Sequence, residues 1–116
     1  MTITVETFGN VAVLRLNGRL DLASGAELKQ KAKDLFAQDR TTLHLNLAGV
    51  EFINSSGLGA LVSTMKETRL RKGRLTLSNL ASYVQEIFEI TQLSHIFEIF
   101  PTEEEALVSN RAAVID

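Results

Sequence analysis

The chain contains no cysteine, which excludes a thiol nucleophile and any Cys-based metal site. The absence fits a reducing compartment. A strong charge of either sign is also missing. Twelve basic and 14 acidic residues leave a net charge of −2, so nothing in the balance favours nucleic acid or an anionic membrane as partner. No apolar run is long enough to span a bilayer. The start, Met1-Thr2-Ile3-Thr4-Val5-Glu6, lacks the basic and apolar regions of a signal peptide. No linker, low-complexity segment or internal repeat divides the chain. What remains is 116 residues, 45% of them hydrophobic, enough for one domain with its own core. The expectation is a single cytoplasmic domain over residues 1–116.

Periodicity supplies the elements. Ile3 and Val5 alternate with Thr2, Thr4 and Glu6, which predicts a half-buried strand. Gly9-Asn10 has turn chemistry, and Val11 to Leu16 is apolar, so a hairpin follows, ended by Gly18. Ser24 and Glu27 have capping-box spacing. Leu28, Ala32, Leu35 and Phe36 form one helical stripe. Leu43, Leu45 and Leu47 alternate with Thr42, His44 and Asn46, a strand with one buried face. Leu58, Leu61, Val62 and Met65 stripe a second helix, with Gly73 placed to terminate it. Leu75 and Leu77 mark another one-sided strand. Val84, Ile87 and Phe88 mark a third helix. Phe97 to Phe100 is a short strand ended by Pro101. Thr102 with Glu105 caps a last helix through Ala106 and Leu107. The order is β-β-α-β-α-β-α-β-α. This is an α/β fold with a mixed sheet of four to five strands, mostly parallel beyond the hairpin. The polar alternation argues that helices lie mainly on one face.

Asn54-Ser55-Ser56-Gly57-Leu58-Gly59 joins a strand to a helix. Asn and Ser are ordinary helix caps, and Gly is common near turns. Two features go beyond that. Each glycine early in a helix disfavours it by about 1 kcal/mol relative to Ala, so close packing or access by a partner has to offset the cost. One cap also needs only one hydroxyl, and two are present. A helix start has free N–H groups and a positive dipole end, and it tolerates a phosphate well.

Catalysis is a poor fit. A serine nucleophile needs a base. The histidines are His44, on the polar side of a strand and read as solvated, and His95, in a late loop. The Gly-x-Ser-x-Gly elbow is absent. Gly57-x-Gly59 lacks both the dinucleotide fingerprint and the Walker lysine. No His/Asp/Glu cluster has metal-ligand spacing. Arg69, Arg71, Lys72 and Arg74 suit a helix C-terminus, and Glu103 to Glu105 suit a helix start. No catalytic residue, cofactor or metal is expected.

Together these residues resemble the STAS family, the small anti-sigma factor antagonists. The resemblance rests on Gly18-Arg19-Leu20-Asp21, on Leu45-Asn46-Leu47 and above all on Phe52-Ile53-Asn54-Ser55-Ser56-Gly57-Leu58-Gly59. Gly73 before a strand and Leu93-Ser94-His95-Ile96-Phe97 extend it over nearly the whole chain. It implies a non-enzymatic partner switch. The unmodified protein binds an anti-sigma factor that is a serine kinase and frees the sigma factor. Phosphorylation ends binding, and a serine phosphatase restores it. The phosphorylated position maps onto Ser55. The surrounding contact surface maps onto Asp21, Asn54, Ser56, Gly57 and Leu58. The one departure is Asn54, where the family usually has Asp; Asn caps and hydrogen-bonds but is neutral. The expected partners are the kinase and the phosphatase, with no nucleic acid or membrane, and the expected state is a monomer or weak dimer. The alternative is a STAS protein in a non-sigma signalling circuit, or the soluble subunit of a lipid or anion transporter.

Overall fold

Gly9-Asn10 sets the first pairing. β1 (Thr2–Phe8) and β2 (Val11–Leu20) form an antiparallel hairpin with Phe8 opposite Val11. Gly9 has φ +63° and Asn10 is not left-handed, the pattern of a type II′ turn. The chain continues through α1 (Leu22–Ala37), β3 (Thr42–Ile53), α2 (Ser55–Leu70), β4 (Arg74–Ser78), α3 (Ser82–Ile90), a 3₁₀ turn (Leu93–His95), β5 (Glu98–Phe100) and α4 (Glu103–Ile115). The computed structural model describes residues 1–115, with side-chain environments through residue 111. The five-stranded sheet has the order β1-β2-β3-β4-β5, antiparallel only at β1.

The two faces of the sheet differ chemically. Ala12, Leu14 and Leu16 of β2, Leu43, Leu45 and Leu47 of β3, and Leu75 and Leu77 of β4 share one face. They join Leu28, Ala32, Leu35 and Phe36 of α1, Leu61 and Met65 of α2, and Val84 and Phe88 of α3 in one core. The predicted stripe of the first helix is all there. The opposite face carries the buried Val11 and Val13 of β2 beside Arg15, His44, Asn46, Thr76 and Ser78, and α4 covers it. Glu103 accepts two hydrogen bonds from Arg15, at 3.0 and 2.8 Å, and one from Asn46 at 3.0 Å. Asn110 is fully buried and donates to Thr76 Oγ1 at 3.2 Å. The Arg15 guanidinium holds the Glu103 carboxyl below its usual range. Three helices thus pack on the apolar face and one on a polar layer.

This layer corrects the expectation for His44. The side chain is not solvated; it is 0% exposed, with Nδ1 2.8 Å from Thr76 Oγ1 and Nε2 2.7 Å from Ser78 Oγ. The alternation was real, but a helix rather than water covers its polar half. Two boundaries also differ. β2 does not end at Gly18 (φ +116°); the pairing shifts there by one residue, with Glu51 of β3 as the extra residue, and β2 continues to Leu20. The first helix therefore starts earlier, and its N-cap is Asp21 rather than Ser24. Ser24 sits at N3, where its N–H donates to Asp21 Oδ1 (3.2 Å) and its Oγ accepts from the Asp21 N–H (2.8 Å). At the end of α2 the left-handed residue is Lys72 (φ +59°), not Gly73.

Burial pushes the His44 imidazole down to about 4 from its ordinary 6.5. Between those values the unfolded chain holds a proton that the folded chain does not, so stability falls as pH drops through the window. The whole drop is worth on the order of 3 kcal/mol. The carboxylates held low by Arg15 and Arg74 lose their contribution mainly below the ordinary carboxyl range. Urea unfolding at pH 7 and pH 5 is therefore expected to show a clear loss in the wild type and a much smaller one in His44→Gln.

Candidate functional site

β2 and β3 end together. Leu20 pairs with Ile53, and the Asn54 N–H donates to the Leu20 carbonyl at 3.2 Å. The next residue on each strand is a helix cap: Asp21 for α1 and Asn54 for α2. Two positive helix ends therefore open side by side at one end of the sheet. The helices stay close. A Cβ built on Gly25 of α1 would lie 2.7 Å from Ala60 Cβ and 3.7 Å from the Ser56 carbonyl on α2.

Asn54 Oδ1 accepts from the Gly57 N–H at 2.9 Å, and the Asn54 carbonyl accepts from the Leu58 N–H at 2.9 Å. The Ser55 and Ser56 amides are left as the unsatisfied donors of the first turn. Both serine side chains are exposed. Asp21 is half-buried; hydrogen bonds from Ser24 hold its carboxyl below the usual range, so it is ionised at neutral pH. Leu58 is half-buried against the core. Of the six residues singled out in the sequence, Asp21, Asn54, Ser55, Ser56 and Leu58 meet at this edge. Gly57 lies beneath it, buried.

The two glycines of the turn answer to different constraints. A Cβ on Gly57 would overlap the Leu20 carbonyl, so the fold requires glycine there. A Cβ on Gly59 would meet nothing within 4 Å, and the residue is exposed. Internal packing explains the first and leaves the second to the outer surface.

Two neighbours were not found in the sequence. Leu22, directly after the Asp21 cap, is 75% exposed. Its signal is an apolar residue in the first helical turn that lies off the Leu28–Ala32–Leu35 stripe. Arg19 lies over the Phe52 ring, 3.9 Å from its centroid, one pair back from the strand ends. An Arg opposite a Phe across parallel strands became visible only once the register was known.

His44 is no base for either serine. It is ten residues before Asn54 on the same extended chain, on the order of 30 Å at the rise of a strand. Among the described residues, no group of three or more His, Asp or Glu is arranged to hold a metal ion. The edge can instead present a hydroxyl to another protein and hold a charge placed on it.

Fold and site define a small α/β domain whose distinctive edge is a pair of capped helix starts bearing free hydroxyls. The chain belongs to the STAS domain family, whose model matches residues 2–106. It is 29% identical over 116 residues to the anti-sigma-F factor antagonist RsfB of Mycobacterium tuberculosis, covering 100% of this chain and 94% of that one. It is 33% identical over 101 residues to the anti-sigma-B factor antagonist of Bacillus subtilis, covering 85% and 92%. Among solved structures it resembles the Bacillus anti-sigma factor antagonist SpoIIAA. The unphosphorylated form matches with a TM-score of 0.75 at 27% identity, over 95% of this chain and 98% of that one. The phosphorylated form matches at 0.73 and 27%, over 93% and 98%.

Substitution separates the roles of the two glycines. Gly57→Ala is expected to lower stability by about 1–3 kcal/mol, because the displaced atom is backbone. Gly59→Ala is expected to raise it by up to about 1 kcal/mol through helix propensity. Urea denaturation of the two variants beside the wild type checks both signs.

Proposed function

We propose that the protein is an anti-sigma factor antagonist working by partner switching. In this reading the unmodified protein binds an anti-sigma serine kinase and so frees a sigma factor. Phosphorylation of Ser55 ends that binding, and a serine phosphatase restores it. The observation that carries the reading is the exposed Ser55 hydroxyl at the first position of α2, where two amides lack partners and the paired strand end leads into the ionised Asp21 cap of α1. Asp21, Asn54, Ser56 and Leu58 form the contact surface, with Gly57 as its floor. Leu22 and Gly59 extend it, one as an apolar contact and the other as clearance for the partner.

The energetics suit a local block. A phosphate adds roughly −1.5 to −2 charges at pH 7. A helix start accommodates it, so the antagonist has no need to refold. Pressed against an acidic group of the partner, the same charge costs several kcal/mol. Taking occupancy from 99:1 to 1:99 needs about 5.5 kcal/mol.

The test has two arms. Mass spectrometry of the protein recovered from cells is expected to place phosphate on Ser55. In binding assays with the kinase, Ser55→Ala is expected to hold it whether or not ATP is present, and Ser55→Asp to bind at least tenfold more weakly. Phosphate found elsewhere, or equal binding by both variants, would refute the assignment.

A further inference from the structure

The two edges of the sheet differ. β5 has three residues and runs straight into Pro101. β1 has seven residues, continuous register with β2, and neither lysine nor proline. Bulges, lysines and prolines are what usually keep an edge strand from pairing. The hairpin settles which backbone groups remain open. Phe8 and Val11 flank a two-residue turn, so they are a hydrogen-bonded pair, and such pairs alternate along the ladder. Thr2, Thr4, Glu6 and Phe8 turn their N–H and C=O groups toward β2. Ile3, Val5 and Thr7 turn theirs to the open edge.

The side chains on this edge do not protect it either. Val5 is 38% exposed and lies on the apolar side, opposite Leu14. Glu6 is the one charge on the strand, and Arg15 holds it at 2.7 Å. Ile3 lines an open cleft of about 310 Å³ with Glu27, Gln30, Lys31 and Asp34 of α1.

We propose that β1 pairs antiparallel with β1 of a second copy of this chain, about a two-fold axis through Val5. The interface is isologous, so the contact closes at a dimer. In this register Val5 faces Val5 of the partner subunit, Ile3 faces Thr7 of the partner subunit, and Thr4 faces Glu6 of the partner subunit. All three outward-turned residues fall in hydrogen-bonded pairs, each exchanging two bonds. No like charges are opposed. A parallel in-register pairing would set Glu6 against Glu6 of the partner subunit, which is unfavourable. The α1 wall beside the seam carries both signs, Glu27 and Asp34 with Lys31. Val5 and Ile3, only partly covered in one copy, gain apolar cover. The seam is one short strand pair, well below the size of a stable interface, so the dimer is concentration-dependent. It leaves the α2 start free at the end of β3 and does not depend on the switching role of Ser55.

The test is sedimentation velocity with residue-resolved amide exchange over a wide concentration series of the wild-type chain. The mean mass is expected to rise with concentration. The Ile3, Val5 and Thr7 amides should exchange fast when dilute and slow when concentrated, and the Thr4 and Glu6 amides should be slow throughout. Val5→Lys sets two like charges at the axis and is expected to abolish association while leaving the unfolding midpoint close to wild type. A chain that stays monomeric overturns the proposal. So does a dimer whose Ile3, Val5 and Thr7 amides stay fast, or a Val5→Lys chain that associates like wild type.

Discussion

The parallel pairing of β2 with β3 governs the rest of the structure. It carries both strands to the same level, where Leu20 meets Ile53 and the Asn54 N–H closes on the Leu20 carbonyl. Because the strands end together, the helices that follow must begin together. Their caps are then neighbours, and Gly57 must be glycine because the Leu20 carbonyl fills the space a side chain would need. The register shift beside Gly18 is part of this. β3 carries the extra residue, Glu51, and β2 runs on past the glycine to set Leu20 opposite Ile53, where its carbonyl meets the Asn54 N–H. The exposed hydroxyls of Ser55 and Ser56 are thus held by backbone geometry rather than by a mobile loop.

The helices are secured by two kinds of force. α1, α2 and α3 are held by apolar burial, which tolerates small adjustments. Among the described residues, none of α4 joins the apolar core under α1, α2 and α3. Its Glu103 accepts hydrogen bonds from Arg15 and Asn46, and its Asn110 donates to Thr76, whose hydroxyl also meets His44. Such a layer is stable only when every member is satisfied. His44 illustrates this. Its two ring nitrogens meet two hydroxyls, which satisfy the neutral ring, while burial opposes its protonation.

The parts of the fold written in apolar spacing were legible in the sequence. The Leu28–Phe36 stripe, the Leu43–Leu45–Leu47 alternation and the strand-to-helix turn at Asn54 all stand where their periodicity places them. The polar layer was not legible. His44, Thr76 and Ser78 alternate with leucines in the same way whether water or a helix covers them. Among the described residues, the side chains that α4 buries are Ala106 and Asn110, too few to read as an apolar stripe. The cap of α1 was misplaced because Ser24 and Asp21 are both good caps. The choice between them depends on how far β2 runs past a glycine, which only the pairing with β3 decides. At the site, the cluster was legible from its motif, whereas Leu22 and the Arg19–Phe52 stack depend on strand register.

The charge balance at the two helix starts explains why Asn54 is an adequate cap. Each helix end carries roughly half a positive charge. Asp21 is the one carboxylate among the capping groups, and Ser24 keeps it ionised. Two half-charges against one carboxylate leave the unmodified edge close to neutral, with the apolar Leu22 beside it, a surface suited to docking on a protein. An Asp in place of Asn54 would make the edge negative before any modification. With Asn54, a phosphate on Ser55 would take the same edge from near zero to roughly −1.5 to −2. The neutral cap therefore sets the starting charge of the edge near zero, whereas the size of the change is the phosphate's own charge with either cap.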